Sequence, residues 1–381
     1  MTVLVTDAHY RMSVALIRDL AEGGARVLAC ERSRFPDPPG FFSRGAARCE
    51  TLPEDGWEAA LLALCLRVAK EDGEKPVLLP VGAATLALLA RERARFSAAA
   101  RFAVPTPEQL DLFNDKAAAA RLAESLGIPV PRGYEAAPDE TDAAFFARVP
   151  LPCVVKPLCG ERFGLHAEQR YAIARTKEEL EAAWRRFYAL AHEAPVVQEY
   201  LPGGGFGCSV LAENGRVVCS ICHRRVREYP VSGGPSSCCE SAECPELEDY
   251  AARMVEKTGY TGLAMFEFKQ DAAGQKRFLE INPRVWGTYP LTRASGSNFA
   301  ALWLAVSAGE PLPACRAPRP VRMVYYPSDL AAALGYLKRG NARAFFGALG
   351  DLFRPSVRNG LRERGDPGPW RAYLRNLRRH K

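Results

Sequence analysis

Residues 264–284 have the sequence AMFEFKQDAAGQKRFLEINPR, which predicts two antiparallel strands joined by a tight turn. With the turn at 271–274, residue 267 lies opposite 280, and residue 265 lies opposite 282. Because side chains alternate between the faces of a strand, Glu267, Glu280 and Asn282 share one face. The opposite face is apolar and points toward a core, through Phe266, Phe268, Leu279 and Ile281.

The three polar side chains of this hairpin predict a site for a hard divalent cation. Two carboxylates directly opposite each other on neighbouring strands repel. Mg²⁺ turns that repulsion into attraction, since it prefers carboxylate and amide oxygens and completes its octahedron with nucleotide phosphates. Arg284 lies two residues beyond Asn282 on the same face and can reach a phosphate or an anionic intermediate. The alternative interpretation is an amphipathic hairpin with a solvated polar face.

Two lysines strengthen the first interpretation. Lys156 ends an apolar strand and precedes a loop that contains Gly160 and Gly164 and is able to close over phosphates. Lys116 opens a helix after Asp115, where helix-terminal amides and the ammonium group can share an anion. The alternative for either lysine alone is a surface charge.

Residues 196–203, VVQEYLPG, predict a strand that ends in a Pro-Gly turn. An extended segment between two domains can offer its backbone N–H and C=O groups to the edge of a flat base. The alternative is an ordinary strand end.

The rest of the chain divides into regions with different patterns. Strands and helices alternate over the first hundred residues, which predicts a parallel sheet covered on both faces. The segment that follows the first strand lacks the Gly-rich dinucleotide fingerprint, so no NAD site is predicted. After residue 195 the segments are mostly strand-like, which predicts an antiparallel sheet. Proline-rich segments suggest three domains: 1–105, 106–312 (with lobes 106–195 and 196–312) and 313–381.

Composition excludes several classes of protein. The 381 residues are 48% apolar and 25% charged, which excludes bulk disorder. The net charge of +7 lies in residues 354–381, so no nucleic-acid partner is expected for the body of the protein. The basic tail is interpreted either as a solvated terminal helix packed by its leucines or as a contact with an anionic membrane surface. No apolar run reaches the roughly 18 residues of a membrane-spanning helix, and no signal peptide is recognised, so the cytoplasm is the expected location.

The 12 cysteines are scattered and mostly lie in apolar runs, which favours reduced, buried thiols. The segment Cys219-Ser-Ile-Cys222-His223 has the spacing of a c-type haem attachment and offers half of a zinc site. Haem attachment requires export, and positions 219 and 222 point to opposite faces of a strand. Core cysteines are therefore the favoured interpretation, with zinc as the open alternative.

Five elements occur in order along the chain: Asp115-Lys116, residues 154–157, residues 198–203, residues 266–268 and residues 280–284. Together they resemble the ATP-grasp superfamily, and the last is similar to the pattern in biotin carboxylase and the carbamoyl phosphate synthetase large subunit. The resemblance covers about residues 1–312. It implies an α/β domain followed by a two-lobed ATP-grasp domain with an antiparallel sheet, and a stand-alone carboxylate–amine or carboxylate–thiol ligase that uses ATP and Mg²⁺ or Mn²⁺. The alternative is an ATP-binding module or a small-molecule kinase with the same fold.

The resemblance also implies roles for individual residues. Lys116 and Lys156 would contact the ATP phosphates beneath the loop that carries Gly160 and Gly164. Adenine would lie against the hinge formed by Gln198, Glu199, Tyr200 and Leu201, through the backbone of Glu199 and Leu201. Metal would bind Glu267, Glu280 and Asn282, and Arg284 would steady the acyl phosphate.

Further residues are implied for the substrate side. Arg225 and Arg227, predicted on one strand face, would bind a phosphate or the substrate carboxylate, beside a pocket that includes 232–236. The segment Gly203–Gly207 stands where many family members carry an acidic residue for the ribose hydroxyls, so the ribose contact is a departure from the family. Small-molecule carboxylate and amine substrates are implied, and a homodimer is a possible assembly.

Overall fold

The structure, a computed structural model, describes residues 1–157, 165, 169, 171–231 and 233–379. These residues form a four-stranded parallel sheet, a four-stranded antiparallel sheet and a seven-stranded, mostly antiparallel sheet, which confirms the predicted mixed α/β fold class.

The N-terminal domain is a four-stranded parallel sheet in the order β3-β2-β1-β4. Val3 and Val5 pack against one layer of helices, and Leu4 packs against the other, so both faces are covered as predicted. The third strand was missed, because half of its residues are polar and its side chains alternate between exposed and half-buried. The strands are β1 (Thr2–Val5), β2 (Arg26–Arg32), β3 (Ala46–Leu52) and β4 (Val77–Leu79), and the helices are α1 (Arg11–Glu22), α2 (Trp57–Asp72), α3 (Ala83–Arg91) and α4 (Arg93–Ser97).

A smaller lobe follows, with a four-stranded antiparallel sheet in the order β5-β8-β6-β7. Phe145, Phe146 and Phe187 pack against Val155 and Val197 and form its separate core. Its elements, with the helix pair that precedes it, are α5 (Pro107–Asn114), α6 (Lys116–Ser125), β5 (Gly133–Tyr134), α7 (Asp142–Arg148), β6 (Cys153–Lys156), β7 (Ala172–Ala174), α8 (Lys177–Ala191) and β8 (Val196–Glu199).

The large sheet has seven strands in the order β13-β12-β9-β10-β11-β14-β15. It is antiparallel except for the last pair, β14 with β15. Its elements are β9 (Gly205–Glu213), β10 (Arg216–Glu228), β11 (Ser236–Ala242), α9 (Pro245–Thr258), β12 (Gly262–Gln270), β13 (Lys276–Asn282), α10 (Pro290–Ser295), α11 (Phe299–Ala308), β14 (Arg322–Val324), α12 (Ser328–Lys338), α13 (Ala342–Leu352), β15 (Val357–Asn359) and α14 (Gly368–Arg379). Strands from beyond residue 312, where the third domain was predicted to begin, therefore complete the same sheet.

The register of the hairpin β12–β13 is as predicted, with Glu267 paired to Glu280 and Met265 to Asn282. A register shift after Glu267 then pairs Phe268 with Phe278. For this reason Phe278, at 1% exposure, lies in the core, whereas the predicted core residue Leu279 is half-buried.

The C-terminal segment returns to the N-terminal domain. Helix α14 packs on the 3₁₀ turn Pro39–Phe42, where Arg375 lies 4.9 Å from the centre of the Phe42 ring. Before this helix, Asp366 accepts hydrogen bonds from Arg18 Nε (2.9 Å), Ser43 Oγ (2.7 Å) and the backbone N–H of Arg44 (3.0 Å). We call this buried cluster the C-terminal latch. The structure therefore matches the packed terminal helix among the two interpretations of the tail.

None of the helices formed by the described residues is both long enough and apolar enough to cross a bilayer.

The latch predicts a large loss of stability for Asp366→Ala, because that change removes the nearer carboxylate partner of the buried Arg18 guanidinium and leaves only Glu363, whose side chain is 41% exposed, at 3.3 Å. We expect the free energy of unfolding to fall by about 3 kcal/mol, measured by urea denaturation. The matched control is Asp37→Ala, which removes the exposed partner of Arg379 and should cost less than about 1 kcal/mol. Equal effects of the two substitutions would contradict a role for the latch.

Candidate functional site

The candidate site lies on the face of the large sheet that carries Glu267 and Glu280. Glu280, Glu267, Gly207 and His223 are consecutive cross-strand neighbours on β13, β12, β9 and β10. The opposite face of these strands packs into an apolar core with α6 and α9. The polar side chains are therefore held on a rigid support.

Basic side chains from two other elements meet the two carboxylates. Lys116 Nζ, at the start of α6, lies 2.8 Å from Glu280 Oε2. Arg225 Nη2, on β10, lies 2.6 Å from Glu267 Oε2. Asn282 Nδ2 donates to Glu267 Oε1 at 3.1 Å, and Arg284 Nη2 donates to Asn282 Oδ1 at 3.4 Å. The structure thus brings the hairpin residues together with Lys116 and Arg284 on one face of the sheet.

Lys156, the last residue of β6, belongs to the same electrostatic cluster. Burial and the nearby Lys116 together lower its pKa to about 8, although Glu280 and Glu267 oppose both effects. Burial by itself would raise the pKa of Glu280, but Lys116 and Lys156 outweigh it and hold that pKa at about 2. The pKa of Glu267 is raised by burial in spite of Arg225. Cations from both lobes thus keep Glu280 ionised.

The backbone amides at the start of α6 are engaged. Asp115 Oδ1 caps the helix by accepting from the N–H groups of Ala117 (2.8 Å) and Ala118 (2.9 Å). The expectation that these helix-terminal amides share an anion with Lys116 is therefore wrong for this structure, because the capping carboxylate occupies them. The Lys116 ammonium itself points to Glu280.

Two glycines on β9 make room for the larger side chains of β10. A Cβ atom on Gly205 would lie 2.8 Å from Arg225 Cδ, and one on Gly207 would overlap the imidazole of His223. His223 is 2% exposed, and burial together with Arg225 lowers its pKa to about 3, so the ring is neutral. The glycine-rich segment that departs from the family pattern thus has a steric function at this face of the sheet.

Arg225 and Arg227 do not act together. Arg225 Nε is buried and has no hydrogen-bond partner, so this donor is available to an anion on the site face. Arg227 instead donates from Nε and Nη2 to Asp329 (both 2.9 Å) and from Nη2 to Asp351 (2.8 Å). A register shift in β10 between residues 225 and 227 separates the two guanidinium groups, and α12 and α13 supply the buried aspartates.

The predicted adenine hinge follows β8. Val154 and Cys153 pair with Gln198 and Glu199, and the Glu199 N–H donates to the carbonyl of Arg132 (2.9 Å). Other contacts in this segment involve Lys269, whose Nζ lies 5.8 Å from the centre of the Tyr200 ring, and the buried Leu201. Because the Glu199 N–H is engaged, an adenine contact through that donor requires the hinge to rearrange. Gly160 and Gly164 of the predicted phosphate loop, and Ser232 of the predicted pocket, lie outside the described residues.

The N-terminal domain contributes residues that the sequence analysis did not assign. Arg11 Nε donates to the carbonyl of Gly287 at 2.9 Å, and its guanidinium lies 3.8 Å from the centre of the Tyr325 ring. Burial and Asp7 raise the pKa of Tyr10, and Arg284 opposes them, so Tyr10 lies within electrostatic reach of Arg284. Their position after the first strand could have indicated this role, because ligand sites in parallel sheets form beyond the carboxyl ends of the strands.

Cys219 and Cys222 pack in the hydrophobic cores of the protein. Cys219 belongs to the core shared with the N-terminal domain, and Cys222 belongs to the core on the other face of the sheet, which confirms their predicted opposite orientations. Across the described part of the chain, no group of three or more His, Cys, Asp or Glu side chains could hold a metal ion. The candidate magnesium site differs from such a group, since it has two carboxylates and one amide.

Comparisons with known proteins agree with this fold. The family model described as ATP-grasp in the biosynthetic pathway with Ter operon matches residues 191–327. The carbamoyl phosphate synthase large chain of Rubrobacter xylanophilus is 27% identical over 75% of this chain and 28% of its own length. D-Alanine–D-alanine ligase of Pseudomonas entomophila is 28% identical over 51% of this chain and 63% of its own length. This chain thus spans less than two thirds of either relative.

A solved structure extends the comparison. The biotin carboxylase domain of the Hydrogenobacter thermophilus 2-oxoglutarate carboxylase, a dimer in complex with MgADP and bicarbonate, has a TM-score of 0.62 and 18% identity. The match covers 84% of this chain and 71% of that domain. Residues 191–327 therefore match an ATP-grasp domain, and the chain shares its overall fold with the biotin carboxylase domain.

The packing of Gly207 against His223 predicts strong coupling between these positions. Gly207→Ala should lower the free energy of unfolding by about 1–3 kcal/mol, because the added methyl group displaces the ring. In a double-mutant cycle with His223→Ala, the second substitution should remove most of that penalty. Additive effects in urea denaturation would contradict the predicted overlap.

The lowered pKa of Lys156 predicts a pH dependence for nucleotide binding. The ammonium is charged below its pKa of about 8 and loses its charge as the pH rises through that value. We therefore expect the dissociation constant for MgATP, measured by equilibrium dialysis, to rise by up to tenfold per pH unit above about pH 8. Lys156→Arg, which stays charged, should flatten the profile. A flat profile for the wild-type protein would contradict this role for Lys156.

Proposed function

We propose that the protein is an ATP-dependent carboxylate–amine, or carboxylate–thiol, ligase that forms an acyl phosphate and releases ADP and phosphate. The observation that carries the proposal is the convergence of Lys116 and Arg225 on the opposed carboxylates Glu267 and Glu280. Arg284 lies beside them, in contact with Asn282. Several cations surround the two carboxylates proposed as metal ligands. This arrangement suits a nucleoside triphosphate that binds together with its metal ion.

The triphosphate would lie between the two lobes. Lys156 from the small lobe and Lys116 from α6 would donate to phosphate oxygens, and binding would replace the contact between Lys116 and Glu280 seen without nucleotide. Adenine would bind along the hinge at 198–201, through backbone groups other than the Glu199 N–H unless that segment moves.

The donor set suits Mg²⁺ or Mn²⁺. Glu267 and Glu280 are directly opposite each other, and Asn282 adjoins Glu267, so three side chains offer oxygen atoms on one face. When bound, the metal would neutralise charge on the phosphates. The remaining coordination positions would fall to phosphate oxygens and water, as hard divalent ions require.

The chemistry would take two steps. A carboxylate oxygen of the first substrate attacks the γ-phosphorus, the bond to the β,γ-bridging oxygen breaks, and ADP leaves. The nitrogen or sulfur of the second substrate then attacks the acyl carbon, and phosphate departs. Arg284 and the unpartnered Nε of Arg225 would donate to the transferring group and the carbonyl oxygen, where negative charge develops.

Similarity to D-alanine–D-alanine ligase supports C–N bond formation, and the solved dimer of the biotin carboxylase domain supports a homodimer as the assembly to test first.

We assign Arg227 a positioning role between β10 and the helices α12 and α13, because its guanidinium is already neutralised there. A kinase with the same fold remains the second candidate, since the first step is shared.

The test is product analysis with MgATP and pooled carboxylic acids and amino acids. We expect ADP, and not AMP, to appear only when a substrate pool is present, together with phosphate and a ligated product. Glu280→Gln should lower the rate by at least about 100-fold, because it removes a charged metal ligand. The matched control is Glu246→Gln, at the exposed partner of Lys276, which should keep full activity.

Other products would distinguish the alternatives. AMP would overturn the acyl phosphate mechanism in favour of adenylation. ADP with a stable phosphorylated product and no ligated product would support the kinase instead.

A further inference from the structure

A second cationic region lies away from the hairpin that carries Glu267 and Glu280. A cavity of about 480 Å³ opens beside Arg227, between β10, β14 and the first turns of α13. Its lining includes four arginines: Arg227, Arg322, Arg343 and Arg354. Among the residues that the structure describes, no acidic side chain lines the cavity. The volume falls in the range of small-molecule sites.

The nearby acids balance only part of the charge of these arginines, because Glu240 pairs with Arg322 Nη2 at 2.6 Å while Arg343 has no ion-pair partner among the described residues. Asp351, fully buried, is shared by three guanidinium groups: Arg227 Nη2 at 2.8 Å, Arg322 Nη1 at 3.2 Å and Arg354 Nη1 at 3.5 Å. Asp329, also buried, is engaged by Arg227 and by Ser237 Oγ at 3.0 Å. Both carboxylates are therefore enclosed, and the cavity presents cations to whatever enters it.

Several donors in the wall remain available. Arg343 forms no ion pair with any described residue, and Arg354, with 62% of its side chain exposed, holds Asp351 only at the limit of hydrogen bonding. Arg227 is 3% exposed, and its Nη1, unlike Nε and Nη2, donates to no described residue. That nitrogen lies 4.0 Å from the position a Cβ would take on Gly347, which is itself part of the lining.

We propose that this cavity is a second anion site, specific for a phosphate-bearing ligand. Guanidinium groups pair with phosphate oxygens in a two-pronged geometry. The three arginines that keep available donors, Arg227, Arg343 and Arg354, can hold several oxygens at once. The positive end of α13, capped by Asn341, faces the same opening and adds to the attraction. The same chemistry would serve a free phosphorylated molecule or a phosphate-bearing lipid headgroup.

Binding of inorganic pyrophosphate to the full chain, measured by calorimetry without divalent cations, tests the proposal. Arg343→Gln combined with Arg354→Gln should weaken binding at least tenfold, which is about 1.4 kcal/mol. The matched control pairs Arg358→Gln, on β15, with Arg371→Gln, on α14. Both residues are exposed and outside the cavity, so the same charge is removed and affinity should be retained.

Lys156→Met separates this site from the proposed nucleotide site and should leave the pyrophosphate affinity of the cavity unchanged. Binding that survives the double substitution but is lost in Lys156→Met would overturn the proposal, as would no binding to the wild-type protein.

A second experiment distinguishes a lipid headgroup from a free phosphorylated molecule as the ligand. Co-sedimentation with phosphatidylcholine vesicles that contain phosphatidic acid, lost in the Arg343/Arg354 double variant alone, would support a lipid headgroup. Pyrophosphate binding without vesicle binding would support a free phosphorylated ligand.

Discussion

Two carboxylates held opposite each other, Glu267 and Glu280, impose a requirement that the surrounding structure has to meet. Their repulsion on neighbouring strands is offset by Lys116 from α6, Arg225 from β10 and Lys156 from β6. These three cations come from three separate parts of the chain. The charges of the site are therefore balanced only when the small lobe, the helix pair and the large sheet are packed together. The electrostatics of the site thus depend on the tertiary fold.

The large sheet meets this requirement with small residues as much as with charged ones. Gly205 and Gly207 leave the first part of β9 without side chains on the site face, so Arg225 can extend across it toward Glu267 and His223 can occupy the adjoining space. On the other face the same strand supplies the buried residues Cys208 and Val210. The first residues of β9 thus leave space for the site on one face of the sheet and pack in the core on the other.

The hairpin could be predicted from the sequence because its alternation and its turn are local. The prediction that Leu279 lies in the core was wrong. The register shift after Glu267 depends on how the two strands pair and not on their polarity pattern. Contacts such as Arg227 with Asp329 and Asp351 were not predictable for a different reason: they join residues more than a hundred positions apart through helices that the sequence analysis did not identify. Strands β14 and β15 have only three residues each, too few to show a period.

The C-terminal latch has a mechanical consequence. The N-terminal domain shares a core with the large sheet, and the latch ties residues near the end of the chain back to that domain through Asp366 and Arg18. These parts form a closed loop of contacts, in which moving one domain strains two junctions at once. The small lobe has its own core and joins this ring through the segments that flank β5 and β8. A movement of the small lobe around a ligand would therefore break neither the shared core nor the latch.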